Sequence, residues 1–135
     1  MRLLEPGIGE IVDRLSILNL KVLFGREKGL DTSHFEREQT GLLAKIRSRT
    51  LNGPWFQMAL ELAAINAALW HAEDDLRYLR LLPDERRAMW AGFGPNWHQE
   101  IADLAIRIQV LNDKRSDLVA AINKEAGDGD GAEKL

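Results

Sequence analysis

The chain contains no cysteine. That removes disulfide frameworks and thiolate metal sites, and it fits a reducing compartment. Strand signals are also absent: alternating β-branched runs do not occur, while Leu, Ala, Glu and Arg dominate. There is no basic face or stripe of the kind a nucleic acid requires. The formal net charge is −3 over 135 residues, and Asp128, Asp130 and Glu133 against Lys134 put −2 of it in the tail, leaving the body at −1 with mixed signs. Partners held by bulk electrostatics, nucleic acid among them, are therefore not expected. Long apolar runs are missing too. Met1 to Gly7 lacks the continuous apolar core of a signal peptide. The most apolar stretch, around Leu60 to Trp70, is interrupted by Glu61 and Asn66, so no helix is expected to span a bilayer. A cytoplasmic protein without membrane contact is the expectation.

What is present is helical periodicity. A chain of this length buries roughly two-thirds of its unfolded surface and needs no covalent staple. One all-α domain is expected over residues 1–125, followed by a disordered acidic tail over 126–135 that cannot bury enough surface to order itself. The first helix is expected from about Ile8 to Phe24, ending at Gly25 as a C′ glycine. Ile8, Ile11, Val12, Leu15, Leu18, Val22 and Leu23 form one broad apolar face. Ile17, Leu20 and Phe24 lie on a second, mixed with Glu10, Asp13, Arg14 and Lys21. A helix apolar on two sides is usually central.

The second helix starts near Ser33, where Ser33-His34-Phe35-Glu36 has capping-box spacing. It is mostly polar and should reach the core through Phe35, Leu42, Leu43 and Ile46, until Leu51-Asn52-Gly53-Pro54 breaks it. The third, from about Trp55 to Leu81, carries the cleanest heptad: Met58, Leu62, Ile65, Leu69, Ala72, Leu76 and Leu79. Pro83 opens a short extra helix to about Trp90, and Gly92-Phe93-Gly94-Pro95 is a loop. Asn96 and Gln99 have capping-box spacing for the fourth helix, whose stripe runs from Trp97 through Ile101, Leu104, Ala105, Ile108, Leu111, Leu118 and Val119 to Ile122. An antiparallel four-helix-type bundle with one short extra helix is the natural assembly.

Polar residues interrupt these stripes. Arg115 falls at the centre of the apolar face of the fourth helix, with Asn112 in the same arc. Asn19 sits between Leu15 and Val22 on the first, and Asn66, Trp70, Glu73 and Arg77 flank the stripe of the third. A buried guanidinium without a partner costs several kcal/mol, so Arg115 needs an acid. Glu73, Glu10 and Asp13 are the candidates, and Glu73 comes first because it borders the core. Two accounts follow: a buried polar network that fixes helix register, or a polar pocket between helices that holds a small anionic ligand. Glu10 and Arg14, four residues apart, would form a solvated pair, or Asp13, Arg14 and Lys21 could ring a cleft. The helix start after Gly7-Ile8-Gly9 could bind an anion.

Other signals are weaker. His34, His71 and His98 fall in different elements, and His71 with Asp75 lacks a third ligand, so neither a metal nor a cofactor is expected. The aromatic residues at 55, 56, 90, 93 and 97 read as end-plugs of the bundle. Ala102, Ile106 and Val110 form a second apolar strip on the fourth helix, which another helix or a second subunit would cover.

The segment Gly9-Glu10-Ile11-Val12-Asp13-Arg14-Leu15-Ser16-Ile17-Leu18-Asn19-Leu20-Lys21 resembles the opening motif of an uncharacterised bacterial family of short helical proteins. That motif reads Gly-Glu, two apolar residues, Asp-Lys or Asp-Arg, then a Thr/Ser-Ile-Leu-x-x-Lys run. Asn66-x-x-Leu69-Trp70-x-x-Glu73-Asp74-x-x-Arg77 and Asn112-Asp113-x-Arg115 followed by Ile122-Asn123 are also similar. The resemblance implies an all-α bundle without an assigned activity. It picks out Glu10, Asp13, Lys21, Asn66, Glu73, Arg77, Asn112, Asp113 and Arg115, nearly the residues chosen by the helical wheel.

The sequence thus points to a non-catalytic, self-associating binding or accessory module whose polar inlay is chiefly structural. The alternative is a small helical enzyme with an inter-helix cationic pocket. There Arg14, Lys21, Arg77 and Arg115, oriented by Glu73, would clamp an anionic substrate in chorismate-mutase-like electrostatic catalysis.

Overall fold

A computed structural model describes residues 6–47, 49, 52–81 and 97–127. Among them are four helices and no strand: α1 (Ile8–Glu27), α2 (Ser33–Ile46), α3 (Gly53–Leu81) and α4 (Trp97–Glu125). The short helix expected from Pro83, the loop at Gly92, the Asn96 cap and most of the acidic tail lie outside the described residues.

α1 starts at Ile8, α2 at Ser33 and α3 ends at Leu81 as expected, while the end of α1 and the start of α3 depart from the sequence expectation, each for a local reason. α1 runs past Gly25 because the left-handed residue that stops it is Gly29, with φ of 72°. The Leu30 amide donates to the Gly25 carbonyl at 2.9 Å and the Gly29 amide to the Arg26 carbonyl at 3.0 Å, the paired bonds of a Schellman end. Gly25 serves instead as the spot where Thr32 packs, since a side chain there would collide with the Thr32 methyl. At the start of α2, Thr32 occupies the N-cap position without a side-chain capping bond, its hydroxyl donating instead to the Glu36 carboxylate at 2.9 Å. α3 begins at Gly53 because the Asn52 side chain accepts the Trp55 amide at 2.8 Å, an N-cap bond that lets Pro54 sit in the first turn, where its missing N–H costs nothing.

Cross-helix bonds fix the topology. Arg14 with Glu38, Asn19 with Gln39 and Arg26 with Glu36 run α2 antiparallel to α1. Gly9 with Asn123 and Asp13 with Arg115 run α4 antiparallel to α1. Asn66 against Ser16 and Trp70 against Phe24 set α3 alongside α1 in the same direction. The order is therefore up-down-up-down, the antiparallel bundle expected, with α1 touching all three partners and α3 against α4 the most extensive contact.

Ile8, Ile11, Val12, Trp55, Leu62 and Ile122 form the core cluster, and Leu18, Leu62, Leu79 and Ile122 are fully buried. Burying a side chain of this size contributes about 1.5–3 kcal/mol. α2 buries no residue fully and leans on α1 through Leu42, Ile46 and Phe35. Leu43, expected to join them, is half exposed, as is Leu23 of α1. Trp55 plugs the bundle end as expected, whereas its neighbour Phe56 points outward. None of these helices is long and apolar enough to cross a membrane.

Candidate functional site

Asp13 lies one turn inside α1, on the side facing both α3 and α4. Arg115 comes to it from α4: Nε donates to Oδ1 at 2.9 Å and Nη2 to Oδ2 at 2.6 Å, a fork that matches both carboxylate oxygens. Asn66 of α3 donates Nδ2 to Asp13 Oδ1 at 2.8 Å and to Ser16 Oγ at 2.5 Å. The Ser16 hydroxyl in turn donates to the Asp13 carbonyl at 2.8 Å. Three helices are thereby joined at one carboxylate. The acid that pairs with Arg115 is Asp13, not Glu73. Glu73 is exposed and acts on the guanidinium only through space. The Asp13 hydrogen bond raises Arg115 further above the ordinary arginine range, against partial burial and with a small contribution from Glu73. The Arg115 side chain keeps 33% of its exposure and Asp13 14%, so the guanidinium's outer edge meets water while the carboxylate is mostly covered.

A second polar joint holds the start of α1. Asn123 of α4 is 1% exposed; its Oδ1 accepts the Gly9 amide at 2.6 Å and its Nδ2 donates to Glu10 at 2.9 Å. The helix start that could bind an anion is therefore filled by the protein's own side chain. Gly9 permits this, because a Cβ there would overlap the Val119 carbonyl oxygen of α4. Helical spacing alone does not single out Asn123 and Ser16 as site residues. The available signal was an asparagine beside Ile122 on an apolar stripe, and a glycine pair opening the opposite helix.

The remaining candidates disperse. Arg14 leaves Glu10 and pairs with Glu38 of α2 at 2.6 Å, which raises the arginine and lowers the glutamate. Arg77 pairs with Asp74 on the α3 surface at 2.9 Å. Asn19, expected on the core face, is exposed and accepts a hydrogen bond from Gln39 at 2.6 Å. Asn112 is half-buried and Asp113 exposed. Lys21 sits over the Phe35 ring, its Nζ 5.2 Å from the centroid.

That last contact opens onto a cleft of about 490 Å³ at the α1–α2 turn, lined chiefly by Lys21, Phe24, Lys28, Leu30, Phe35 and Trp70. Phe24 and Trp70 stack with centroids 5.5 Å apart and planes 25° from parallel, and His71 meets the edge of Phe24 at 5.8 Å. Among the described residues, every buried side-chain nitrogen or oxygen has a hydrogen-bond partner, and no group of three acids or histidines could hold a metal ion. No family model, curated protein or solved structure matches this chain.

Proposed function

We propose that this chain is a non-catalytic helical binding or accessory module in which the Asp13, Asn66 and Arg115 network sets the register of the bundle. The observation that carries this is that the Asp13 carboxylate is satisfied within the bundle. Both of its oxygens are taken by Arg115 and Asn66, which leaves only the outer edge of the guanidinium facing water. The cations a clamp would need also face different ways: Arg14 toward Glu38, Lys21 toward Phe35, Arg77 toward Asp74 and Arg115 toward Asp13. Preorganised electrostatic catalysis needs donors converging on the place where charge develops, and these diverge.

The test is a thermal-shift comparison of the native protein with Arg115→Lys, against nucleotides, sugar phosphates and small dicarboxylates. A ligand at a hundred times its dissociation constant adds about 2.7 kcal/mol, a shift of several degrees. No stabilisation dependent on Arg115 is expected. Stabilisation by one of these anions that disappears in Arg115→Lys would replace this reading with the enzyme-like pocket. A cytoplasmic setting and self-association belong to the same proposal. Ile106 and Val110, 59% and 47% exposed, would be covered by a second copy. Light scattering at micromolar concentration should give twice the monomer mass; the monomer mass would remove the dimer.

A further inference from the structure

The cleft at the α1–α2 turn takes no part in the polar network, and its lining is largely apolar and aromatic. We infer that it binds a small aromatic carboxylate, the ring system resting among Phe24, Phe35 and Trp70 and the anion between Lys21 and Lys28. This assignment rests on the binding-module reading and names the ligand class for it.

Four parts of the chain contribute. The last turns of α1 supply Lys21 and Phe24, the connecting turn Lys28 and Leu30, α2 Phe35, and α3 Trp70. The volume of about 490 Å³ is that of a small-molecule site and far above one packing defect. Its walls are aromatic: Phe24 and Trp70 stack on one another, and Phe35 lies against His34 at 3.8 Å with the Lys21 ammonium over its ring, a lining that favours an aromatic body over a flexible chain. Its charge is selective. Among the described residues Lys21 and Lys28 make no ion pair; Lys21 lies near the end of α1 and Lys28 just past it, seven residues on. The one acid of the lining, Asp31, is already engaged by the amide and hydroxyl of Ser33, at 2.9 and 2.5 Å. The lining contains no arginine fork to grip a phosphate. A single carboxylate on a hydrophobic ring system satisfies both lysines and leaves the aromatic walls covered.

Isothermal titration with 2-naphthoate, 2-naphthalenemethanol and octanoate tests this. One naphthoate should bind per chain, at least about tenfold tighter than the neutral alcohol, the difference expected from charge-assisted hydrogen bonds. Octanoate should bind more weakly than naphthoate. Affinity should fall about tenfold or more in Trp70→Leu, which loses the stacking face, and in the double variant Lys21→Met with Lys28→Met, whose changes lie at the cleft rim and leave the core intact. Circular dichroism confirms the fold of each. Absence of saturable naphthoate binding, equal binding of the alcohol or of octanoate, or full affinity in the double lysine variant would each overturn the assignment. Those outcomes leave the structural role of Arg115 standing. Conversely, anion binding that depends on Arg115 would overturn the network reading and not the cleft.

Discussion

Replacing Arg115 with methionine keeps the apolar stem and removes the fork that holds Asp13. The variant then leaves a carboxylate with 14% side-chain exposure and one remaining side-chain donor, Asn66. Breaking a sealed ion pair by removing one partner costs about 3–5 kcal/mol, and a fully exposed pair is worth about 0.2–1 kcal/mol. With the guanidinium one-third exposed, this pair stands between those limits, at about 2 kcal/mol, which corresponds to a fall in Tm of roughly 6–12 °C for a domain of this size. Urea denaturation of Arg115→Met, Asp13→Ala and the double variant would give the coupling directly. At least about 1 kcal/mol of coupling is expected, because the two side chains share three short contacts. Arg115→Lys should recover only part of the loss, since an ammonium cannot span both oxygens. A cost below about 0.5 kcal/mol with no coupling would mean that the pair is solvated like any surface pair. The network would then not set the register.

The glycines separate packing from propensity. Gly9→Ala should destabilise by about 2–3 kcal/mol, since its Cβ meets the Val119 backbone, whereas Gly41→Ala, with open space around an α2 position, should stabilise by up to about 1 kcal/mol. Equal effects in urea denaturation would refute the close approach of α1 and α4. Asn123→Ala strands the Gly9 amide in a buried joint and should cost about 2 kcal/mol; a neutral variant would show that water replaces the side chain. The Arg14 hydrogen bond holds Glu38 below the ordinary glutamate range, so the tie between α1 and α2 is intact above about pH 4.3 and is lost as pH falls through the lower folded value. NMR titration should place the Glu38 midpoint lower in the native protein than in Arg14→Met, and equal midpoints would refute the tie.

The apolar heptads, four of the expected helices and, among the described residues, the absence of strands follow from local spacing, and they carried over to the fold. The heptad of α3 is the clearest example: Leu62, Leu69, Ala72 and Leu79 are all buried. Arg115 and Asn66 were legible as site residues for the same reason, because a polar side chain on an apolar stripe is visible in one dimension. Which acid answers Arg115 was not. Glu73 and Asp13 both border apolar positions, and the choice between them depends on how far α1 slides along α4.

Local chemistry in the sequence determined that the chain would make amphipathic helices and where most of them would start and stop. Tertiary packing alone decided the pairings between them. Gly9 against Val119 sets the α1–α4 distance, and that distance brings Asp13 and Asn123 to their partners more than a hundred residues away. The aromatic cleft is likewise absent from any single segment. Phe24, Phe35 and Trp70 read as separate core or surface positions until α2 folds back along α1 and α3 comes alongside. The physical reason is that helical periodicity fixes which face of a helix is apolar, while the axial offset between two such faces is set by ridge packing and a few polar contacts. Those contacts join residues far apart in the chain.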